Sequence, residues 1–371
     1  MLSPRSVIPI LVVSVVAAVS GCRDSSGPSE TGAVPRDVSA GIHHSCGLST
    51  AGDAYCWGAG HDPDDPHRPS HVAGGLTFAS ISTGVAGTCA LTPSGAAYCW
   101  GMNNNGQLGD GTTTGRREPA PVVGGRTFVR ISTGILHSCA LTPAGDAYCW
   151  GWNGNGQLGD GTTTNRPVPT LVAGGHVFAR IDTYSIHTCA LTAAGAAYCW
   201  GFNSGGMLGD GTTTDRHVPV AAAAGLTFTE IATTAGESCG LAAGGDVHCW
   251  GAAYGPAPVA IAGAPPLTSI SAGGGHVCGL TTGGAAYCWG ANQDGQLGDG
   301  TTTSRAAPQV VAGDLSFAVV SATGWRHACG VTLGGRAYCW GDNSDGQLGD
   351  GTATSRLVPT ATVDWRTGAP D

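Results

Sequence analysis

Apolar residues in this chain fall in short runs, alternating with small or polar ones, and turn residues bound each run. Phe178 to Asp182, Thr188 to Thr192 and Ala196 to Trp200 form one such set. Period-two runs of this length predict β-strands, because side chains on a strand alternate between faces. Helical spacing is nearly absent. The set then recurs. Cys-Trp-Gly triplets carry Trp57, Trp100, Trp150, Trp200, Trp250, Trp289 and Trp340, at steps of 43, 50, 50, 50, 39 and 51 positions. Repetition at this period governs the reading of everything local. With Val168 to Val172 from the preceding connection, each unit has four short strands. That predicts a propeller blade, which cannot bury both faces alone but can within a closed ring.

Each triplet cysteine has another ten positions before it. The pairs are Cys46 and Cys56, Cys89 and Cys99, Cys139 and Cys149, Cys189 and Cys199, Cys239 and Cys249, Cys278 and Cys288, Cys329 and Cys339. If Cys89 faces Cys99 across an antiparallel pair, then Leu91 faces Ala97 and Thr92 faces Ala96. Pro93, Ser94 and Gly95 remain for the turn. A three-residue hairpin turn wants its last residue left-handed, and all seven copies have Gly there. Opposed Cα atoms lie about 4.5–5.5 Å apart, within disulfide reach. Zinc ligands sit closer in sequence. Seven hairpin disulfides are therefore expected, each worth roughly 2–3 kcal/mol. Alternation puts Cys89, Leu91, Ala97 and Cys99 on one face and Ala90, Thr92, Tyr98 and Trp100 on the other. Both faces are apolar or small, so both should be buried.

The amino terminus reads differently. Residues 1–21 hold Arg5 and a short apolar run from Val7 to Val19, the pattern of a secretory signal rather than a membrane span. The run ends Val19-Ser20-Gly21-Cys22, which resembles the lipobox of bacterial lipoproteins. Fifteen cysteines less seven pairs leave one, Cys22. The resemblance implies acyl chains on Cys22 and an exported, lipid-anchored protein at the cell envelope, facing the periplasm or the exterior. Residues 22–36 are rich in Ser, Gly and Pro and read as a flexible tether. The propeller is expected over 37–371.

Composition narrows the function. Lys is absent, Gly accounts for 63 of 371 residues, and the net charge is −9 with 16 basic residues, none clustered. Nucleic acid is not an expected partner. Ser, His and Asp are spread through the repeats, so no catalytic constellation stands out and no enzyme activity or cofactor is expected. His44, His137, His187, His276 and His327 recur two positions before the first cysteine, which favours an architectural role. The first connection alone gathers His61, Asp62, Asp64, Asp65, His67 and His71 among prolines. It is a weak candidate for a divalent cation, against the reading of an acidic surface loop.

Five connections carry Gly-Gln-Leu-Gly-Asp-Gly-Thr or its Met207 variant, beginning at Gly106, Gly156, Gly206, Gly295 and Gly346. Together with Gly-x-x-His, Ala-Leu-Thr-x-x-Gly and Tyr-x-Trp-Gly, they resemble the repeat of the regulator of chromosome condensation family. The resemblance covers about Asp37 to Val363. It implies an all-β, seven-bladed propeller of four-stranded antiparallel blades. The run from Val358 to Val363 is expected to complete the first blade and close the ring. Blades one and five lack the Gln-Leu-Gly loop, and a disulfide in every blade is not general to the family.

The family name implies nucleotide exchange on a nuclear small GTPase, which export and oxidised cysteines disfavour. Gly324-Trp325-Arg326-His327 also matches a motif of the plant UV-B photoreceptor. That receptor needs several such tryptophans, and Ile42, Val85, Ile135, Ser185 and Ala235 stand at equivalent places. The expected function is a monomeric, non-catalytic scaffold or receptor that binds another protein. Glycan binding is one alternative, and inhibition of a secreted enzyme another, since a propeller-type β-lactamase inhibitory protein resembles the repeat. The candidate face is the ring of loops before each His-x-Cys strand: Ile42, His43, Val85, Ile135, Leu136, Tyr184, Ile186, Trp325 and Arg326. The competing reading is that these side chains plug the central channel.

Overall fold

The computed structural model describes residues 34–60, 65–85 and 87–367. The expected signal, Cys22 and most of the tether lie outside the described residues. Seven four-stranded antiparallel sheets follow one another along the chain. Blade three is typical, with strands Arg130–Thr133, His137–Leu141, Ala147–Gly151 and Arg166–Leu171. Among the described residues, no helix is long and apolar enough to cross a membrane.

The hairpin forms as its residues dictate. Cys139 opposes Cys149 and Leu141 opposes Ala147. Gly145 closes the turn at φ 86°. All seven disulfides are present, each spanning ten residues with Cα atoms 4.0–4.1 Å apart.

The fourth strand corrects the expected grouping. Arg166–Leu171 pairs back onto its own blade, Tyr148 with Leu171 and Cys149 with Thr170, and not with the blade that follows. Likewise Arg356–Ala361 pairs with blade seven, Tyr338 with Ala361, so the last strand does not complete blade one. Blade one is built from Pro35–Ala40, His44–Ser49, Ala54–Gly58 and the two-residue strand Ser70–His71. The reason lies in the connection. Asn153 Nδ2 donates to Asp160 and to the carbonyls of Thr162 and Thr164, and Arg166 pairs with Asp160 at 2.8 Å. This folds the loop on itself and returns the chain beside the strand it left.

Ring closure comes from packing. Each interface buries the disulfide face of one blade against the tryptophan face of the next, where a Phe covers the tryptophan in five blades, Leu267 in blade six and Trp365 in blade one. Cys139, Leu141, Ala147 and Cys149 meet Phe178, Ala190 and Trp200, with Leu158 of the connecting loop between them. At the seam of blades seven and one, Cys329, Val331 and Leu348 meet Trp57, and Trp365 occupies the place that Phe178 holds in blade four.

A second belt runs through the first strands, which line the channel. Ser39, Ser82, Ser132, Asp182, Ser271 and Ser321 each accept a backbone N–H from the next blade, at 2.7–3.0 Å. Ser321 accepts from Ala40, so the belt closes the ring. Blade five has Ala232 at this position, and Glu230 reaches the Ile270 N–H instead, at 3.0 Å.

Asp182 is the carboxylate among these serines. Loss of hydration pushes its pKa up to about 6, against hydrogen bonds from Thr233 and Ser132 that pull it down. Between the ordinary value near 4 and 6 the folded state holds the proton more tightly than the unfolded state, so this group lowers stability as pH rises through that window. Some water still reaches the side chain, so the cost at pH 7 is about 1–2 kcal/mol, below the full linkage value. Asp182→Ser is expected to be the more stable protein at pH 7, with the gap shrinking toward pH 4. Urea melts at the two pH values check this, and a gap independent of pH would exclude the assignment.

Candidate functional site

The loops that join each first strand to the second gather on one face, around the mouth of the channel. Glycine lets them approach. A Cβ on Gly84 would lie 2.1 Å from the Gly134 carbonyl oxygen, and one on Gly134 would lie 2.6 Å from that of Tyr184. The loops are also bonded to each other: Ile42 N–H donates to Gly84 O at 3.1 Å and Gly274 N–H to Gly324 O at 3.2 Å.

A concavity of ≈ 530 Å³ opens on this face. Ile42, His43, Val85, Ile135, Trp325 and Arg326 line it, as do Asp342, Ser344 and Asp345 of the connection in blade seven. Ile42, Val85 and Ile135 are half-buried, whereas Trp325 and Arg326 are exposed. A second depression of ≈ 240 Å³ lies on the other side of Trp325 and Arg326, walled by Gln293, Asp294 and Gln296. The two side chains therefore form a ridge between two hollows.

The remaining loop residues separate from this group. Leu136 and Ile186 are half-buried and do not line the concavity. Tyr184 is a correction: its ring is buried and its hydroxyl has no partner, so it packs rather than presents a surface. Burial lifts that phenol well above the ordinary range.

Asp342, Ser344 and Asp345 were not singled out from the sequence. The signal was there. The residue after Cys-Trp-Gly is Ala59, Met102, Trp152, Phe202, Ala252 and Ala291 in the other blades, and an acid only in blade seven. Asp345 holds His43 Nδ1 at 2.8 Å, and Arg326 faces Asp294 at 3.6 Å.

The recurring histidines are architecture. His137 Nε2 meets Thr188 Oγ1 of the next blade at 2.9 Å, and Thr188 donates onward to the Gln157 carbonyl at 2.9 Å. Its hydroxyl proton is thereby used, so His137 Nε2 carries the hydrogen. The contact repeats for His44, His187 and His327 with Thr88, Ser238 and Ser45. For His276 the next blade has Ala328 at the position of that hydroxyl, and among the described residues both ring nitrogens are unpartnered. Burial drops these imidazoles to about 3 for His137 and His327 and about 4 for His187 and His276, so they are neutral at pH 7.

The Gln-Leu-Gly loops also clasp the next blade. Trp150 Nε1 donates to Gln107 O, Trp200 to Gln157 O and Trp57 to Gln347 O, at 2.8–2.9 Å. Blades one and five lack the loop; among the described residues the Trp100 indole N–H has no acceptor, and Trp289 has the Tyr254 hydroxyl in place of a loop carbonyl.

His61, Asp62 and Asp64 of the cation candidate lie outside the described residues. Asp65 pairs with Arg68 at 3.0 Å, and His71 meets the Tyr55 ring edge-on at 5.4 Å. Among the described residues, His67 Nδ1 is buried without a partner. No group of three His, Cys, Asp or Glu among the described residues could hold a metal ion.

Comparison with known proteins decides the family. The family model described as regulator of chromosome condensation (RCC1) repeat matches residues 94–141, 144–191, 194–241 and 334–363. A second model of the same repeat matches 36–62, 78–107, 128–157, 267–296 and 309–347. The chain belongs to the RCC1 repeat family. Among curated proteins it is similar to the protein RCC2 homolog of Danio rerio, 36% identical over 75 residues, 20% of this chain and 15% of that protein. It is also similar to the E3 ubiquitin-protein ligase HERC2 of Homo sapiens, 42% identical over 66 residues, 18% of this chain and 1% of the ligase. The chain thus aligns with at most 15% of the length of these relatives. Prp20p of Saccharomyces cerevisiae shares the fold at TM-score 0.72 and 21% identity, over 83% of this chain and 85% of the other. So does the ectodomain of the receptor kinase CR4 of Physcomitrella patens, at TM-score 0.57 and 23% identity, over 83% and 74%. The first RCC1 match runs from the hairpin turn of blade two into the second strand of blade three. The sequence repeat therefore straddles two structural blades.

Proposed function

We propose that this RCC1-repeat propeller is a monomeric, non-catalytic protein-binding scaffold or receptor of the bacterial cell envelope, exported and anchored through lipid on Cys22. The observation that carries the binding half is the concavity beside the Trp325 and Arg326 ridge. It offers a mostly apolar hollow with an exposed aromatic and a cation, residue types that concentrate binding energy at interfaces. Blade-to-blade clasps hold the surrounding loops, so little ordering is left to oppose association. Relatives lend support by analogy of fold: the Prp20p structure is described with its binding to Gsp1p and histones, and CR4 places the fold in a receptor ectodomain. Seven disulfides suit an oxidising compartment and argue against exchange on a cytosolic or nuclear GTPase. Glycan platforms rely on several stacked aromatics, and Trp325 alone lines this hollow.

Two experiments test the two halves. A photo-crosslinking residue in place of Val85 is expected to capture a protein partner in intact cells. The same residue in place of Ala194, in the hairpin turn on the opposite face, is expected to capture none. Equal capture at both positions would reject the loop face. Separately, Cys22→Ser is expected to move the protein from the detergent phase to the aqueous phase; unchanged partitioning would reject the anchor.

A further inference from the structure

The polar wall of the concavity is acidic, built around the Asp342 and Asp345 carboxylates. Asp342 accepts from Ser344 N–H at 3.1 Å, Ser344 Oγ at 3.1 Å, Gln347 Nε2 at 3.1 Å and Ser355 Oγ at 3.5 Å, all neutral donors. Among the described residues, the Asp345 carboxylate meets the His43 imidazole and no arginine. Arg326, the one permanent cation in the lining, faces Asp294 on the far side of the ridge. The opposite wall is apolar, made of Ile42, Val85 and Ile135, with the Trp325 indole 37% exposed beside it. At the position of Asp342 the other blades have Ala59, Met102, Trp152, Phe202, Ala252 and Ala291, so this carboxylate is particular to blade seven. An anionic group here would meet two carboxylates, and a purely apolar one would strip water from them without return.

We propose that this hollow receives a lysine or arginine side chain from a basic segment of the partner protein. The inference rests on the reading of the loop face as a protein interface. The aliphatic stem lies against Ile42, Val85 and Ile135. The charged head sits between Asp342 and Asp345, over the face of Trp325, the ring that attracts cations best. The net charge of −9 draws a basic partner from a distance.

The test uses the intact mature protein labelled with nitrogen-15. The Trp325 indole signal is identified by its loss in Trp325→Phe. Butylguanidinium is expected to shift that signal saturably and butyrate to leave it in place. Asp342→Asn with Asp345→Asn is expected to weaken the butylguanidinium response roughly five-fold, as is added salt. A response to butyrate equal to that to butylguanidinium overturns the proposal. So does a response only to tetramethylammonium, which would mark a quaternary-ammonium headgroup site. Because Asp342 also organises its own loop, Asp345→Asn alone is measured as well, and an unchanged response in both variants is a further refutation. If the Val85 crosslink forms and the doubly neutralised variant holds its partner as tightly as wild type, the cation falls and the loop face stands. If no partner crosslinks at Val85, both fall.

Discussion

Trp365→Ala is expected to destabilise the propeller by about 3–5 kcal/mol, the range for removing a large aromatic from a packed core. In blades two, three, four, five and seven a phenylalanine at or just ahead of the start of the first strand covers the blade's tryptophan. Phe78, Phe128, Phe178, Phe228 and Phe317 lie 5.8–6.2 Å from Trp100, Trp150, Trp200, Trp250 and Trp340. Blade one draws this aromatic from the other end of the chain. Trp365 lies 5.5 Å from Trp57 and 5.4 Å from Tyr55, is 5% exposed, and donates its indole N–H to Thr362 Oγ1 at 3.0 Å. Gly47 makes room, since a Cβ there would fall 2.3 Å from the Trp365 ring. Among the described residues, no disulfide crosses the seam of blades seven and one. Truncating Trp365 should therefore open the seam as well as leave a cavity. Chemical melts give the magnitude, and hydrogen exchange should quicken first in the strands of blades one and seven. A loss below about 1 kcal/mol, or uniform quickening around the ring, would show that Trp365 does not close it.

The parts legible in the sequence were those set by near neighbours. A cysteine pair ten residues apart, a glycine at the turn and period-two alternation fix the hairpin without reference to the rest of the chain. The fourth strand was misplaced because nothing in Val168 to Leu171 says which neighbour it joins. That is settled by the fold of the loop around Asn153, Asp160 and Arg166, and the family repeat itself straddles two blades. The last strand was misassigned for the same reason, although the sense that the C-terminus closes the ring survives in Trp365. Ser39, Ser82, Ser132 and Ser271 each look like an unremarkable strand residue. Their bonds run to the next blade and exist only once the ring does. At the site, the loops and their bulky residues were readable, because they interrupt an otherwise regular motif. Burial of Tyr184 was not, since packing at the mouth depends on how closely glycine lets adjacent loops approach. Asp342 and Asp345 did not stand out, because only ring closure brings the blade-seven connection beside the loops of blades one, two and three.

The claim that the loop face recognises a protein is tested most directly by Trp325→Ala combined with Ile135→Ser, measured against the partner captured through Val85. Trp325 is exposed and Ile135 half-buried, so neither truncation should open the blade interfaces. Both line the one concavity, so both should be covered in the complex. The expected result is a loss of about 2–4 kcal/mol in binding free energy, with stability within about 1 kcal/mol of wild type. A steep fall in melting temperature with partner affinity retained by the folded fraction would contradict the account, and would make these side chains a plug for the channel.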